Sequence, residues 1–388
     1  MSEAVIVSSV RTAIARTPGA LQDVPPEVFG AAVMHEAIAR AGIDAKEIED
    51  AIWGNVMAGG GNMGRLTALQ AGIPVEVAAM TIDRQCGSGL QAICLAAQAI
   101  KAGDSDILLA GGSDSMTRAP FLMARPATAY PRQAPQFAYP RLSPDAVGNP
   151  PMGITAENVA AQFKVSREEQ DAFALRSQQN AVRAIQEERF KEQIVPVPVP
   201  AGKGQTALFA VDEHPRADTT LEKLARLNPV FKKDGSVTAG NASGINDGAG
   251  AAIVMSARMA EQRGLRPMAR VVGWAVAGVD PNMMGMGPVP AVRKLLSKTG
   301  MSLSDMDLIE LNEAFASQAV ACIRELDMDP SIVNVNGGAI ALGHPIAGTG
   351  AILTAKLLYE LRRTGGRYGL ITACIGGGQG IAAIFERL

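Results

Sequence analysis

A layered α/β fold, with one unit built twice, is the class this sequence predicts, and three observations predict it. Strand-like and helix-like periods alternate through residues 1–118 and again through 268–388. Two glycine-flanked turns resemble each other: Asp83-Arg84-Gln85-Cys86-Gly87-Ser88-Gly89-Leu90 and Ala341-Leu342-Gly343-His344-Pro345-Ile346-Ala347-Gly348. Their reactive residues lie 344 − 86 = 258 positions apart, and Gly42 and Gly300 upstream share that spacing (300 − 42 = 258). Composition agrees, since 47% apolar residues with only 4% aromatics and 41 glycines imply a closely packed aliphatic core.

In the first unit, Val5–Val7 reads as a strand and residues 27–41 as an amphipathic helix stopped at Gly42. Ala51–Trp53 reads as a short buried strand and Gly59–Gly61 as a loop, with a helix over 64–71 and a strand over 78–82. A helix from Ser88 to Lys101 is stopped by Gly103, and Ile107–Ala110 is a strand ending at Gly111-Gly112. The last unit repeats the order. Arg270–Val272 is a strand, 290–299 a helix, Leu308–Leu311 a strand, 314–326 a helix and 332–335 a strand. After the His344 turn come helix 349–363 and strand Gly369–Thr372, closing on Cys374-Ile375-Gly376-Gly377-Gly378. This copy needs an insertion of several residues before its final strand.

Between the units, residues 119–245 differ in character. Residues 120–151 are rich in Pro, Tyr, Arg and Gln without a period, which reads as an irregular surface excursion. Ser166-Arg167-Glu168-Glu169 is a capping box opening a long polar helix toward 189. Val195–Pro200 alternates valine and proline, an extended edge segment, because proline cannot donate to a sheet ladder. The whole reads as a lid or substrate-binding platform.

Net charge is −2, with no basic stripe, so nucleic acid is excluded as a partner. The four cysteines (Cys86, Cys94, Cys322, Cys374) lie far apart, which argues against a disulfide framework and a structural zinc site. With no apolar stretch of ~18 residues and no signal-peptide pattern, no membrane insertion is expected, and a cytoplasmic, reducing location is.

Cys86 falls between a strand and a helix, where the helix dipole would favour a thiolate; the alternative is a buried inert cysteine. His344, in a Gly-His-Pro turn, could take its proton as a neutral imidazole, or be only a capped turn residue. His35 and His214 fall on a polar helix face and in a polar loop. Cys94 and Cys322 read as core. Gly376-Gly377-Gly378 is consistent with N–H groups aimed at an oxyanion, but neither it nor Gly240–Gly244 has P-loop or dinucleotide spacing. Asn312-Glu313 places an amide and a carboxylate at a strand end, where a helix cap is the bland alternative.

Cys86-Gly87-Ser88-Gly89, Asn312-Glu313-Ala314-Phe315-Ala316, Gly343-His344-Pro345 and Cys374–Gly378 together resemble, in order, the signature motifs of thiolases. Thr155-Ala156-Glu157-Asn158, Val237–Gly244 and Asn334-Val335-Asn336-Gly337-Gly338 extend the resemblance over essentially the whole chain. It implies thiolase-type duplicated βαβαβαββ halves in five α-β-α-β-α layers. The N-terminal half would be 1–118 with 246–267, the inserted loop domain 119–245, and the C-terminal half 268–388.

The resemblance also implies catalysis on coenzyme A thioesters with no permanently bound cofactor and no metal. Cys86 would be the acyl-carrying nucleophile, His344 its base, Cys374 the second acid/base, and Asn312 and Gly376 oxyanion groups. Arg216 would lie near the nucleotide of coenzyme A, and Met152, Leu227, Phe231, Ala239, Ser243, Ala314 and Phe315 along its pantetheine. A homodimer or homotetramer is implied, and association with a β-oxidation hydratase/dehydrogenase subunit is open. Pro151-Met152-Gly153 replaces the His-Met-Gly of many short-chain acetoacetyl-CoA thiolases, which favours a broader or longer 3-ketoacyl substrate. The alternatives are a biosynthetic acetyl-CoA acetyltransferase, a condensing enzyme of the same superfamily, which Cys374 argues against, and a non-catalytic acyl-CoA or lipid-binding relative.

Overall fold

The computed structural model describes residues 3–58, 60–128, 130, 134–202 and 204–388. Gly59 of the expected loop, residues 129 and 131–133 of the excursion, and the first two residues lie outside the described residues.

The chain runs through β1 (Ala4–Thr12), the short β2 (Ala15–Arg16), α1 (Pro26–Ala41), β3 (Asp50–Gly54), α2 (Met63–Gln70), β4 (Ala78–Ile82), α3 (Ser88–Ala102) and β5 (Ile107–Ser115). The insert carries β6 (Leu122–Met123), β7 (Phe137–Ala138), α4 (Met152–Gln162), α5 (Arg167–Gln186), β8 (Ile194–Val195), β9 (Val197–Pro200), β10 (Thr206–Phe209) and α6 (Leu221–Ala225). Strand β11 (Asn246–Ser256) and α7 (Ala257–Gln262) lead to β12 (Ala269–Gly278), α8 (Pro288–Thr299), β13 (Leu308–Leu311), α9 (Ala316–Leu326), α10 (Ala339–Leu342), α11 (Thr349–Thr364), β14 (Tyr368–Ile375) and β15 (Gln379–Arg387).

One sheet order appears twice. The first half runs β4-β3-β5-β11-β1 and the second β13-β14-β15-β12, joined where Val5 and Ile6 pair with Arg270 and Ala269. In each half a parallel pairing gives way to antiparallel ones, β3·β5 then β5·β11, and β13·β14 then β14·β15. The two strand faces serve different layers, as period two requires. Val5, Trp53 and Leu109 face α1 and α2. Ile6, Ile52 and Leu108 face α3 and α11, which also cover Val271, Ile371 and Phe385 of the second sheet. Residues of α8 and α9 cover its far side at Ile309, Leu311 and Ile384. The result is five layers, α-β-α-β-α. Strands buried on both faces explain the continuous apolar runs in β1, β5 and β11.

In the central layer α3 and α11 touch backbone to backbone. A Cβ on Gly350 would sit 2.2 Å from the Leu90 nitrogen, so only glycine allows that approach. The insert is tied to the first half by a fully buried ion pair, Arg11 Nη1 to Asp212 Oδ1 at 2.7 Å.

Three expectations need correction. Residues 332–335 form no strand: Pro330 opens a tight turn capped by Asp329, and Val333 makes a single bridge to Ile309. Asn334 then substitutes its side chain for a strand, its amide bonding both the N–H and the carbonyl of Leu311. The helix expected over 314–326 starts at Ala316, because Phe315 is extended and bridges Ala242. The polar helix expected to run toward 189 ends at Gln186.

Candidate active site

Cys86 sits in a 3-10 turn, Gln85–Gly87, between β4 and α3. Asp83 Oδ1 accepts from the Gln85 N–H, and Ser88 Oγ accepts from the Arg84 N–H while donating to the Gln85 carbonyl. The corresponding turn of the second half is Ile346–Gly348, ahead of α11. Gln85 and Ile346, the first residues of the two turns, both hold positive φ (44° and 21°) without being glycine. Such strain persists only where the surroundings impose it. The helix starts place the turns 349 − 88 = 261 residues apart, so Cys86 corresponds in register to Ala347 and His344 lies three residues earlier. The 258-residue spacing holds at the glycine caps Gly42 and Gly300 and is lost before this turn.

His344 is buried and held on three sides. Its backbone N–H donates to Asn246 Oδ1 (3.0 Å), Nδ1 lies 2.6 Å from Thr349 Oγ1, and Nε2 lies 3.4 Å from Asn312 Nδ2. An amide nitrogen only donates, so Nε2 is the acceptor and Nδ1 carries the proton toward Thr349. Gly343 needs its φ of 108° and its missing Cβ to clear Asn246. Asn312 follows β13 and donates its N–H to the Thr372 carbonyl, while its side-chain oxygen is buried without a partner. Glu313 beside it accepts from Ser177 Oγ, Asn334 Nδ2 and the Ile340 N–H, bracing the segment before His344.

Cys374, near the end of β14, is fully buried. The turn after it brings the Gly376 N–H to the Cys86 sulfur, and Gly377 and Gly378 both take positive φ. Leu142, from the irregular excursion, lies over this turn, its methyl 3.0 Å from where a Gly376 Cβ would be. The turns carrying Cys86, His344, Asn312, Cys374 and Gly376 therefore converge.

The electrostatics set the resting protonation. Burial pushes the Cys86 thiol up to about 11, against the opposing Gly376 N–H, and it pushes Cys374 well above the ordinary range with Cys86 adding to the effect. Burial lowers His344 to about 4. The preformed thiolate expected from the helix dipole is thus not the resting form: desolvation outweighs it, and thiol and imidazole are both neutral.

The residues expected along a coenzyme A path fall into two linked groups. Arg216, Leu227 and Ala239 line a cleft of about 210 Å³, together with Lys223 and His214. His214, in its loop, is half-buried there. Met152, Ala314 and Phe315 pack in one apolar cluster with Cys374. Phe231 meets Phe315 edge to face at 6.1 Å and links the groups, and the Ser243 N–H bonds the Ala314 carbonyl. Among the described residues no three His, Cys, Asp or Glu side chains are grouped to hold a metal ion, and no helix is long and apolar enough to cross a membrane.

Asn246, Thr349 and Asp114 were missed as site residues. The available signal was a polar residue at the end of a strand otherwise built of small apolar ones, as in Asn246-Asp247 and Ser113-Asp114-Ser115.

The sequence and the fold are similar to those of known proteins. Residues 4–258 match the thiolase N-terminal domain and residues 265–387 the thiolase C-terminal domain. The chain is 50% identical to an acetyl-CoA acetyltransferase of Syntrophomonas wolfei, covering 100% of this chain and 99% of that protein. It is 49% identical to the 3-oxoadipyl-CoA/3-oxo-5,6-dehydrosuberyl-CoA thiolase of Escherichia coli, covering 100% of both. The crystal structure of human mitochondrial 3-ketoacyl-CoA thiolase in complex with CoA superposes with a TM-score of 0.93 at 43% identity, over 100% of this chain and 98% of that one.

Proposed function

The chain belongs to the thiolase family of acyltransferases, and from that premise we propose that it is a 3-ketoacyl-CoA thiolase working in the cleaving direction. His344 Nε2 takes the proton of Cys86 as the sulfur adds to the 3-keto carbon. Collapse of that adduct breaks the Cα–Cβ bond, and the electron pair leaves on the acetyl-CoA enolate, which Cys374 protonates. As the thiol of a second coenzyme A attacks the acyl-Cys86 thioester, the Cys374 thiolate takes its proton, and His344 returns to the departing Cys86 sulfur the proton it took in the first step.

The observation that carries this reading is the approach of the Gly376 N–H to Cys86 on one side and of Asn312 to His344 on the other. The Gly376 N–H, with that of Cys86 itself, suits one oxyanion. His344 and a water on the unpartnered Asn312 oxygen suit the enolate. Each such donor contributes on the order of 3 kcal/mol to barrier lowering. Neutral groups at rest fit the scheme, because the thiol proton moves only as the carbon–sulfur bond forms.

Coenzyme A would lie in the cleft of Arg216, Leu227 and Ala239 and pass Phe231, Ser243, Met152, Ala314 and Phe315 to reach Cys374. Residues 119–245 would serve as the substrate-binding loop domain between halves formed by 1–118 with 246–267 and by 268–388. Pro151, which opens α4 ahead of Met152, supports 3-ketoacyl chains longer than acetoacetyl, as in fatty-acid β-oxidation or related catabolism. A cytoplasmic homodimer or homotetramer is the proposed working form. The condensing direction, two acetyl-CoA to acetoacetyl-CoA, is the second reading, favoured by the name of the Syntrophomonas relative.

Thiolysis of acetoacetyl-, 3-ketohexanoyl- and longer 3-ketoacyl-CoA, followed spectrophotometrically, tests the proposal. Turnover should be greatest on the longer substrates and absent in Cys86→Ala. Preference for acetoacetyl-CoA favours the second reading, and ample turnover by Cys86→Ala removes the nucleophile assignment.

A further inference from the structure

Asp114 is a buried carboxylate that the mechanism above does not use, and it joins the two halves where the mechanism needs them aligned. It lies near the end of β5, with no exposed surface. One oxygen, Oδ1, accepts from Asn55 Nδ2 (2.9 Å), the Val56 N–H (3.1 Å) and the Met57 N–H (2.9 Å), all in the loop after β3. The other, Oδ2, accepts from the Ala347 N–H at 2.8 Å. Ala347 is three residues past His344 and is the register partner of Cys86.

The contact is tight on every side. A Cβ on Gly89, in the Cys86 helix, would come within 2.6 Å of the Ala347 carbonyl, and so would one on Gly112 in β5. The His344 turn is thus wedged between backbones of the first half, with one ionic hydrogen bond fixing its depth. Ile346, beside Ala347, holds its strained φ of 21°. A carboxylate is suited to this task because four donors converge on it and none accepts. A neutral acid or amide would turn a hydrogen toward at least one of them.

We propose that Asp114 is a positioning residue of the thiolase reaction: its ionised carboxylate holds the His344 turn at the distance from Cys86 that proton transfer requires, and its protonation loosens that alignment. The proposal rests on the reading of Cys86 and His344 as nucleophile and base.

Asp83 and Cys86, from the segment between β4 and α3, lie close enough for their charges to interact with that of Asp114. Burial, with Asp83 adding to it, raises the Asp114 carboxyl to about 7 against the pull of its N–H donors. Protonation therefore falls in a range where enzymes are assayed. A misplacement of about 1 Å costs up to ~100-fold in rate.

The test is the pH dependence of 3-ketohexanoyl-CoA thiolysis by the full-length wild type and by Asp114→Asn. Wild-type kcat should fall about 10-fold or more as pH drops through about 7. The Asn variant, a mimic of the protonated acid, should show no such step and should run at pH 8 near the wild-type rate at pH 5.5, with KM little changed. Asn55→Ala, which keeps the carboxylate but removes one donor to its charged form, should fold and should move the step to higher pH.

A wild type with no thiolysis overturns both this inference and the function it rests on. An active wild type with an equally active Asn variant overturns the inference alone. So does a step that Asn55→Ala leaves in place, or a loss expressed only in KM and thermal stability.

Discussion

At the scale of single residues, the proposed mechanism has its reactive groups neutral until they are needed. The imidazole of His344 is a base only while unprotonated, and burial lowers it to about 4. Its function is thus present above that value and lost as pH falls through it. After the Asp114 step, kcat/KM for thiolysis should fall a second time near pH 4 and stay flat between. In Asp114→Asn, which lacks the Asp114 step, a steep loss centred on the ordinary histidine value of about 6.5 would contradict the burial of His344 as the controlling effect. The alkaline side should hold until Cys86 ionises, near 11. Cys86 and Cys374 are chemically alike but differ in surroundings. The first is partly open to solvent and met by the Gly376 N–H, while the second is buried among apolar side chains. A nucleophile needs access to an incoming carbon, and a proton donor to an enolate needs a high pKa and a dry wall.

At the scale of elements, the strands deliver residues and the insert is pinned to them. Arg11, near the end of β1, holds Asp212 with two hydrogen bonds, and Asp212 Oδ1 also accepts from the Ile14 N–H. Both charges are fully buried, so removing one leaves the other uncompensated. Asp212→Ala should lower unfolding free energy by about 3–5 kcal/mol in a denaturant titration. A change below about 1 kcal/mol would show that the insert is not anchored there. This pair was illegible in the sequence because its members lie 201 positions apart in unremarkable contexts. What was legible had local causes: the helix stops at Gly42 and Gly300 are glycines with φ of 65° and 71°, and the polar helix after Ser166 opens on a complete capping box. The strand expected at 332–335 failed for a local reason also, since Asn334 bonds Leu311 through its side chain and takes φ of 49°. Cys86, His344 and Cys374 could be read because glycines lie beside or just after them. Asp114 and Asn246 were harder to read, because their roles depend on which turn of the other half they meet, whereas Thr349 meets His344 five positions away in its own half and was missed.

At the scale of the whole molecule, two copies of one sheet order face each other across α3 and α11, and their turns have diverged in role. In the first half the turn before the central helix carries Cys86. In the second half the register position is Ala347, and the proposed base, His344, lies three positions earlier. The second half also contributes Asn312 and Cys374 from its own strand ends. The proposed chemistry is therefore a division of labour, in which the first half would hold the acyl group and the second would move the protons. Mapping the acyl adduct by peptide mass spectrometry tests it most directly, using wild type and Cys374→Ser quenched after incubation with acetyl-CoA and with 3-ketohexanoyl-CoA. An acetyl group is expected on the Cys86 peptide of both proteins with acetyl-CoA, and carbon–carbon cleavage of the 3-ketoacyl substrate by the wild type alone. An acyl group found on Cys374, or undiminished cleavage by Cys374→Ser, would contradict it.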